Sequence, residues 1–572
     1  MILQALYDYA QRKGDELSED GFENVEIKYL IKIREDGSLV DLISTIEDKR
    51  GHIYQKVPMR VARSGKTPKA SLLLDNVGYV LLDEVKREAF VKLIEELPEE
   101  VRRLREIKAV IAFYRDNRAN GLNKIASCEL WEECQKTTGY ISFLLEDESI
   151  IVPQLEEIRN YQRRITAEKT EGSESDDSEE IIKGICLITG ENAVISRLHA
   201  ATAIIGAKSN AKLVGFQKNS GYDSYGKEQS YNAPVSIRAE AAYTKALNYL
   251  IKSSKNRFRL GEDTIVFWAE KKEAEVFESA FSVFFSKDFD SDDPDRCVSE
   301  VKNLFNAINT GKLEKIDSNF YVLCLSPNAA RISVRFWETG KVEQFAERIK
   351  QHFVDFEIVR TSYETEYLNL YQILSSTALE HKMENVAPNL IGAVTQAILK
   401  GLPYPATLQQ QCIRRIRAEQ KVTRERAAIL KAYTNRFNRY KNIKKEVSVS
   451  LDRNCTNKGY LLGRLFAVFE KVQLETHPGL NATITDRFYG AASTNPVTVF
   501  AQLIKLNQHH LGNYENKGLR IAREKEIGEI MNSIESFPAH LNLNEQSQFA
   551  IGYYHEKQSF FESKSEKTEG EN

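Results

Sequence analysis

Between residues 215 and 236 the chain reads GFQKNSGYDSYGKEQSYNAPVS, with three glycines, three tyrosines and two lysines among amides and hydroxyls. No helical or strand period runs through it, so it is a long loop. Loops of this length without secondary structure are uncommon in compact domains and are mostly functional or disordered. Disordered segments are poor in aromatics, which the tyrosines contradict. The chemistry on offer is recognition. Glycine allows close backbone approach to a ligand, Tyr222 and Tyr225 offer flat faces to a base or sugar, and the amides of Gln217, Asn219, Gln229 and Asn232, with the Ser224 hydroxyl, can read polar edges. Lys218 and Lys227 can hold phosphates. A surface loop tied down by its own tyrosines is the alternative that composition leaves open.

Two basic stretches extend this inventory. Arg60, Arg63, Lys66 and Lys69 fall within ten residues broken by Gly65 and Pro68, ahead of an apolar strand. Such a loop on a sheet edge suits contact with phosphates or a groove, a solvated loop being the alternative. Between residues 400 and 445, thirteen Lys or Arg face two acids, Glu419 and Glu425. Ile413, Ile416, Leu430, Tyr433 and Phe437 supply an apolar stripe there. Arg414, Arg417, Lys421, Arg424 and Lys431 recur on another face at helical spacing. Self-repulsion in so lopsided a band calls for an anion nearby, and a nucleic-acid backbone is the natural one.

Motifs for bond-making chemistry are missing from the sequence. It has no Walker A loop, no G-x-S-x-G elbow and no H-E-x-x-H. Cys186 and His199 invite a nucleophile reading, but Cys186 lies in an apolar strand, where a small buried thiol is the default. The acidic run 288–295 lacks the spacing and closing glutamate of a calcium loop. Adjacent His509 and His510 do not share a helix face and make a poor metal pair. Neither a cofactor nor a metal is expected.

The elements that must position these surfaces follow from pattern. At 572 residues, several domains are expected. Hydrophobic content of 42% and charged content of 28% are those of a soluble globular protein. A net charge of −3 gives no global pull toward nucleic acid, so binding must come from local patches. Seven widely spaced cysteines without a C-x-x-C pair read as reduced thiols. With no signal peptide and no apolar run of membrane-spanning length, the expected location is cytoplasmic. Strands are expected over 25–33 and 38–46 around a Glu35-Asp36-Gly37 turn, and helices over 83–97 and 98–115. Further strands are expected at 263–270, 319–325 and 331–337, with the FEIVR segment (356–360) completing a small α/β sandwich. From 363 onward the texture is helical, and two glycines in 459–474 indicate close helix–helix approach. The fold class is therefore α+β, a mixed N-terminal region with antiparallel sheets followed by a C-terminal α-helical bundle. Its expected parts are 1–165, an acidic linker at 166–180, a second subdomain 181–362 carrying the loop, a helical domain 363–560 and a disordered tail.

Nine segments in order resemble one family: MILQALYDYA, RSGKTPKASLLLDNVGYVL, CLITGE followed by RLH, SYGKEQSYNAPVS, ALNYL with TIVFWAE, FYVLCLSPNAARISVRFW, NLIGAVTQAILKGLPYP, YLLGRLFAVFEKVQ and DRFYGAAST. The sequence is similar to the large subunit of the type I-C CRISPR surveillance complex, Cascade, over essentially its whole length. It departs where family members usually show Ser-Phe-Asn before the SYG loop; here residues 215–219 read GFQKN. The resemblance implies a non-catalytic subunit that recognises the protospacer-adjacent motif on duplex DNA, aids strand opening to an R-loop and supports recruitment of a helicase-nuclease in antiviral defence. Implied partners are crRNA, target double-stranded DNA, the backbone subunits, the crRNA-processing subunit and a small subunit made from this chain's own C-terminal region, starting near Val449 or, as a longer product, at Met383. No membrane partner is implied. The rival readings are a metal-dependent nuclease whose carboxylates assemble only on folding, and a purely structural scaffold.

Overall fold

A computed structural model describes residues 1–17, 19, 21–47, 50–61, 67–115, 121–171, 182–208, 210–217, 221, 226–285, 296–310, 316–329 and 331–561. The chain divides into two compact units. The first is Met1–Leu250 with Asn328–Ile332, and the second is Ile251–Pro327 with Ser333–Asn572. This division differs from the segmentation drawn from composition.

After helix α1 (Ile2–Lys13), the first unit is built on strand β1 (Phe22–Ile33). Tyr29, Ile31 and Ile33 alternate into one apolar cluster, while Leu30 enters a second on the other side with Val25 and Ile27. Along its first half β1 pairs antiparallel with β3 (His52–Pro58), and along its second with β2 (Leu39–Ser44). Its other edge runs parallel to β5 (Tyr140–Leu145), which in turn carries β4 (Leu74–Asn76) antiparallel. The expected β1–β2 turn is present. Asp36 Oδ1 accepts from the Ser38 N–H and hydroxyl, and Gly37 has φ +79°. A Cβ on Gly37 would also meet Phe113 N at 2.6 Å, so glycine is required twice over.

Helices α2 (Glu84–Glu95), α3 (Glu99–Arg102), α4 (Arg105–Arg115) and α5 (Trp131–Lys136) precede β5 in sequence. The single helix expected over 98–115 is thus two. Val101 and Ile107, six residues apart, would sit about 120° apart on one continuous helix. The break lets both enter the same core. Helix α6 (Glu156–Glu171) continues through the first residues of the expected acidic linker, and 172–181 lie outside the described residues. A two-stranded ribbon, β6 (Lys183–Ile185) and β7 (Asn192–Val194), and helix α7 (Ile237–Lys252) follow.

The second unit opens with strands β8 (Arg257–Leu260) and β9 (Asp263–Ala269), helices α8 (Glu275–Phe285) and α9 (Arg296–Asn309), and strands β10 (Asn319–Asn328) and β11 (Arg331–Lys341), whose hairpin tip, Asn328–Ile332, belongs to the first unit. The sheet order is β11-β10-β9-β8. Phe258, Phe267 and Phe320 turn to a core shared with Phe277 and Phe281 of α8 and with α10 (Val342–Phe356). Trp268 is fully buried, a core residue as expected of an aromatic on a sheet. The FEIVR expectation is corrected: 357–360 forms no strand, and its Val359 N–H bonds the carbonyl of Val449 at 2.8 Å instead.

Helices then fill the chain: α11 (Leu370–Ser375), α12 (Leu390–Lys400), α13 (Ala406–Glu419), α14 (Arg424–Tyr440), α15 (Lys458–Thr476), α16 (Ile484–Ala492), α17 (Pro496–Gly512), α18 (Lys517–Asn532) and α19 (Leu543–Ser559). This is the α+β architecture with a helical C-terminal region that the patterning indicated. The paired glycines of α15 do bring two helices together. A Cβ on Gly459 would strike the carbonyl oxygen of Glu545 in α19, and one on Gly463 that of Phe549. Among the described residues, no helix is long and apolar enough to cross a membrane.

Candidate nucleic-acid interface

The amide-rich loop belongs to the first unit and is anchored at its far end by the β6–β7 ribbon. The Leu187 N–H bonds Pro234 O at 2.9 Å, the Ser196 N–H bonds Val235 O at 2.9 Å, and Ile195 bridges Ser236. A 3₁₀ turn at Gln229–Asn232 closes the loop. Asn232 Nδ2 donates to Lys227 O at 2.8 Å and to Gln229 O at 3.0 Å, so this amide staples the turn. Arg197 Nη1 donates to Gln229 Oε1 at 2.5 Å, and the Ser230 N–H returns a bond to Arg197 O.

At the near end, the tip of the β10–β11 hairpin is joined to the chain just before the loop. Lys212 forms a parallel bridge with Arg331, and the Lys208 N–H bonds Ala329 O at 3.1 Å. Arg331 Nη2 then donates to Gln217 Oε1 at 3.3 Å. Gln217 and Lys227 are exposed, whereas Gln229 and Asn232 are half-buried. Lys218, Asn219, Tyr222, Ser224 and Tyr225 lie outside the described residues.

Two cations at this loop, Arg197 and Arg331, were missed by the sequence reading. Arg331 lies more than a hundred residues further along the chain, so no local pattern could attach it to the loop. Arg197 stood in plain view between Cys186 and His199, a pair considered only for nucleophilic chemistry. That pair makes no dyad bond: Cys186 Sγ accepts from the Ser236 N–H at 3.3 Å, and His199 Nδ1 pairs with the Tyr243 hydroxyl. Burial pushes the Cys186 thiol up, but hydrogen bonds from Ser236 and Thr189 outweigh it and bring it to about 7.

In the basic loop at 60–69, Arg60 is an anchor. Its Nε and Nη2 hold the Glu23 carboxylate at 2.8 and 2.7 Å, and its guanidinium lies 4.3 Å from the Tyr140 ring centre. Lys69 is exposed, and Arg63 and Lys66 lie outside the described residues.

The basic helical band is sorted by the fold into two sets. Arg414 and Arg417 of α13 and Lys421 of the following turn are exposed, as are Lys441, Lys444 and Lys445. The expectation that Arg424 and Lys431 share that outer face is corrected, because both are buried. Arg424 donates to the carbonyls of Thr365 (2.7 Å) and Glu366 (3.1 Å), and Lys431 Nζ to that of Asp355 (3.1 Å). Gln420, with φ +53°, ends α13 and breaks the continuous face on which those residues would have aligned. Burial pushes both cations down from their ordinary values. Much of the anion that the lopsided charge demanded is thus supplied from within, by carbonyl oxygens and by Asp355.

A cavity of about 480 Å³ in the second unit, lined by Phe305, Phe353, Phe356, Arg360, Glu366 and Tyr367 among others, includes none of the candidate binding residues read from sequence. Among the described residues, no group of three or more His, Cys, Asp or Glu side chains is placed to hold a metal ion.

Comparison with known families places the chain in the CRISPR-associated class of proteins. The chain belongs to the family described as CRISPR-associated protein (Cas_Csd1), whose profile matches residues 3–561. No curated protein matches it.

Proposed function

We propose that this protein is the large subunit of a Cascade-type, crRNA-guided DNA surveillance complex of subtype I-C, and that it is not itself an enzyme. In this reading it recognises the protospacer-adjacent motif on duplex DNA, aids strand opening and supports recruitment of a separate helicase-nuclease. Protein reads a short motif and duplex shape, while guide pairing reads the sequence. The observation that carries the reading is the family match over residues 3–561. The anchored loop with Gln217, Lys227 and Arg331 exposed, and the exposed set Arg414, Arg417 and Lys421, support a nucleic-acid surface.

The test is target binding by the complex, reconstituted with and without this subunit, across a library of flanking motifs and in the presence of divalent metal ions. Loss of motif-dependent binding on omission supports the reading. Binding that ignores the subunit sinks it, and cleavage by the purified chain alone would make it a nuclease. One observation favours a second, structural role for α14: Arg424, Arg426, Lys431 and Arg436 are all buried and bonded to the protein's own carbonyls and carboxylates.

A further inference from the structure

The two glutamines flanking the loop are held in the same way, and the arrangement determines which of their groups faces a ligand. Arg331 donates to Gln217 Oε1, and Arg197 donates to Gln229 Oε1. A guanidinium carries five N–H donors and no acceptor, so an amide beside it must turn its carbonyl oxygen inward. The Nε2 amide of each glutamine is therefore directed away from its arginine. At Gln217 both partners are exposed, so the pair offers an incoming molecule N–H groups and positive charge. The hairpin tip that carries its arginine is tied down by the Lys212–Arg331 bridge and the Lys208–Ala329 bond.

We propose that Arg331 is a positioning residue that fixes Gln217 as a hydrogen-bond donor, so that the pair takes two adjacent acceptors on a base edge. This rests on the DNA-reading function proposed above. Two edges have that chemistry: guanine N7 and O6 in the major groove, and the N3 and O2 atoms of an A·T pair in the minor groove. An exocyclic amino group at the contacted position, as at adenine N6 or cytosine N4, sets donor against donor beside a cation and is rejected. Arg197 holds Gln229 by the same rule, deeper in the loop, where the backbone is in the left-handed region at φ +48°.

The test uses the full-length chain in its reconstituted complex, with duplexes randomised at the flanking positions and probes carrying 7-deazaguanine or 3-deazaadenine. Gln217→Glu keeps an acceptor for Arg331 but removes the outward NH₂. It is expected to weaken the preferred flank about tenfold and to move preference toward bases bearing amino groups. Arg331→Ala frees the amide to rotate and flattens the base preference with a smaller loss of affinity. Arg331→Lys, which still only donates, restores part of the profile. Loss of binding with 7-deazaguanine assigns the major groove, and loss with 3-deazaadenine the minor groove. If Arg331→Ala weakens every flank equally and leaves the profile unchanged, Arg331 is a phosphate contact and the positioning role is wrong, while DNA reading stands. Insensitivity to both base analogues overturns it likewise. If neither the Gln217 nor the Arg331 variants alter binding, while omission of the subunit abolishes it, the loop is not the reading surface at all.

Discussion

Asp355, fully buried near the end of α10, accepts from Arg436 Nε at 2.7 Å and from Arg439 Nη2 at 2.9 Å. Its own carbonyl takes the Lys431 ammonium, and Arg436 also lies 4.2 Å from the centre of the Tyr404 ring. One residue thus organises three of the cations whose number made α14 resemble a phosphate-binding surface, two through its carboxylate and one through its carbonyl. Taking away one member of a buried pair leaves an uncompensated charge and costs about 3–5 kcal/mol. Asp355→Ala is expected to lower the free energy of unfolding by that order, read from urea denaturation. A loss below about 1 kcal/mol would mean that Arg436 reaches solvent or another acceptor.

The same sorting predicts that cations of one band behave oppositely. Replacing Arg414, Arg417 and Lys421 together by Glu changes exposed side chains, so folding stability should stay nearly constant. In the assembled complex, target affinity should fall and its salt dependence flatten by about one unit of log–log slope for each phosphate that is no longer neutralised. Arg424→Ala should do the reverse, leaving the Thr365 and Glu366 carbonyls without their donor and lowering stability by about 1–3 kcal/mol. Salt titration of binding beside thermal melts of the free chain separates the two sets. Unchanged affinity and slope in the triple variant would remove α13 from the interface.

Two glycines offer a matched pair of opposite sign. Gly463 faces the α19 backbone with no room for a methyl group, whereas around Gly528 of α18 nothing lies within 4 Å of a built Cβ. Gly463→Ala should destabilise by about 1–3 kcal/mol or more through overpacking. Gly528→Ala should stabilise by about 0.5–1 kcal/mol, because alanine restricts the unfolded chain and suits a helix interior. Urea midpoints of the two variants check both signs.

Periodicity made the scaffold legible because burial is a local pattern: alternation placed β1, and helical spacing with glycines at 459 and 463 indicated a close helix approach on α15, although its partner α19 could not be named from sequence. Charge was less legible. Arg414 and Arg424 look alike in sequence, and only the break at Gln420 and the carbonyls of 365–366 decide that one faces water and the other the interior. The loop's polar character was readable, but Arg331 could not be assigned to it, since a hairpin tip closes that contact from a distant part of the chain. Asn232, read as a base-edge contact, has its donors turned to the loop's own carbonyls.

His199, His352 and His555 are all buried, and each pairs Nδ1 with a tyrosine hydroxyl, of Tyr243, Tyr404 and Tyr460 respectively. Burial, reinforced by Lys212, holds His199 down to about 4; burial, reinforced by Lys431, holds His555 down to about 3. An unfolded histidine protonates near pH 6.5, so above that pH neither state carries the proton and these groups leave stability unchanged. As pH falls below 6.5 the unfolded chain gains protons that the folded chain refuses. Stability is lost until the folded values near 4 and 3 are reached. Between pH 7 and pH 5 each of the two should contribute about 2 kcal/mol of this loss. The expected result is a steep fall in urea midpoint across that interval, made shallower in His199→Asn and His555→Gln relative to the parent. Equal slopes in parent and variants would mean that these imidazoles accept protons within the folded state.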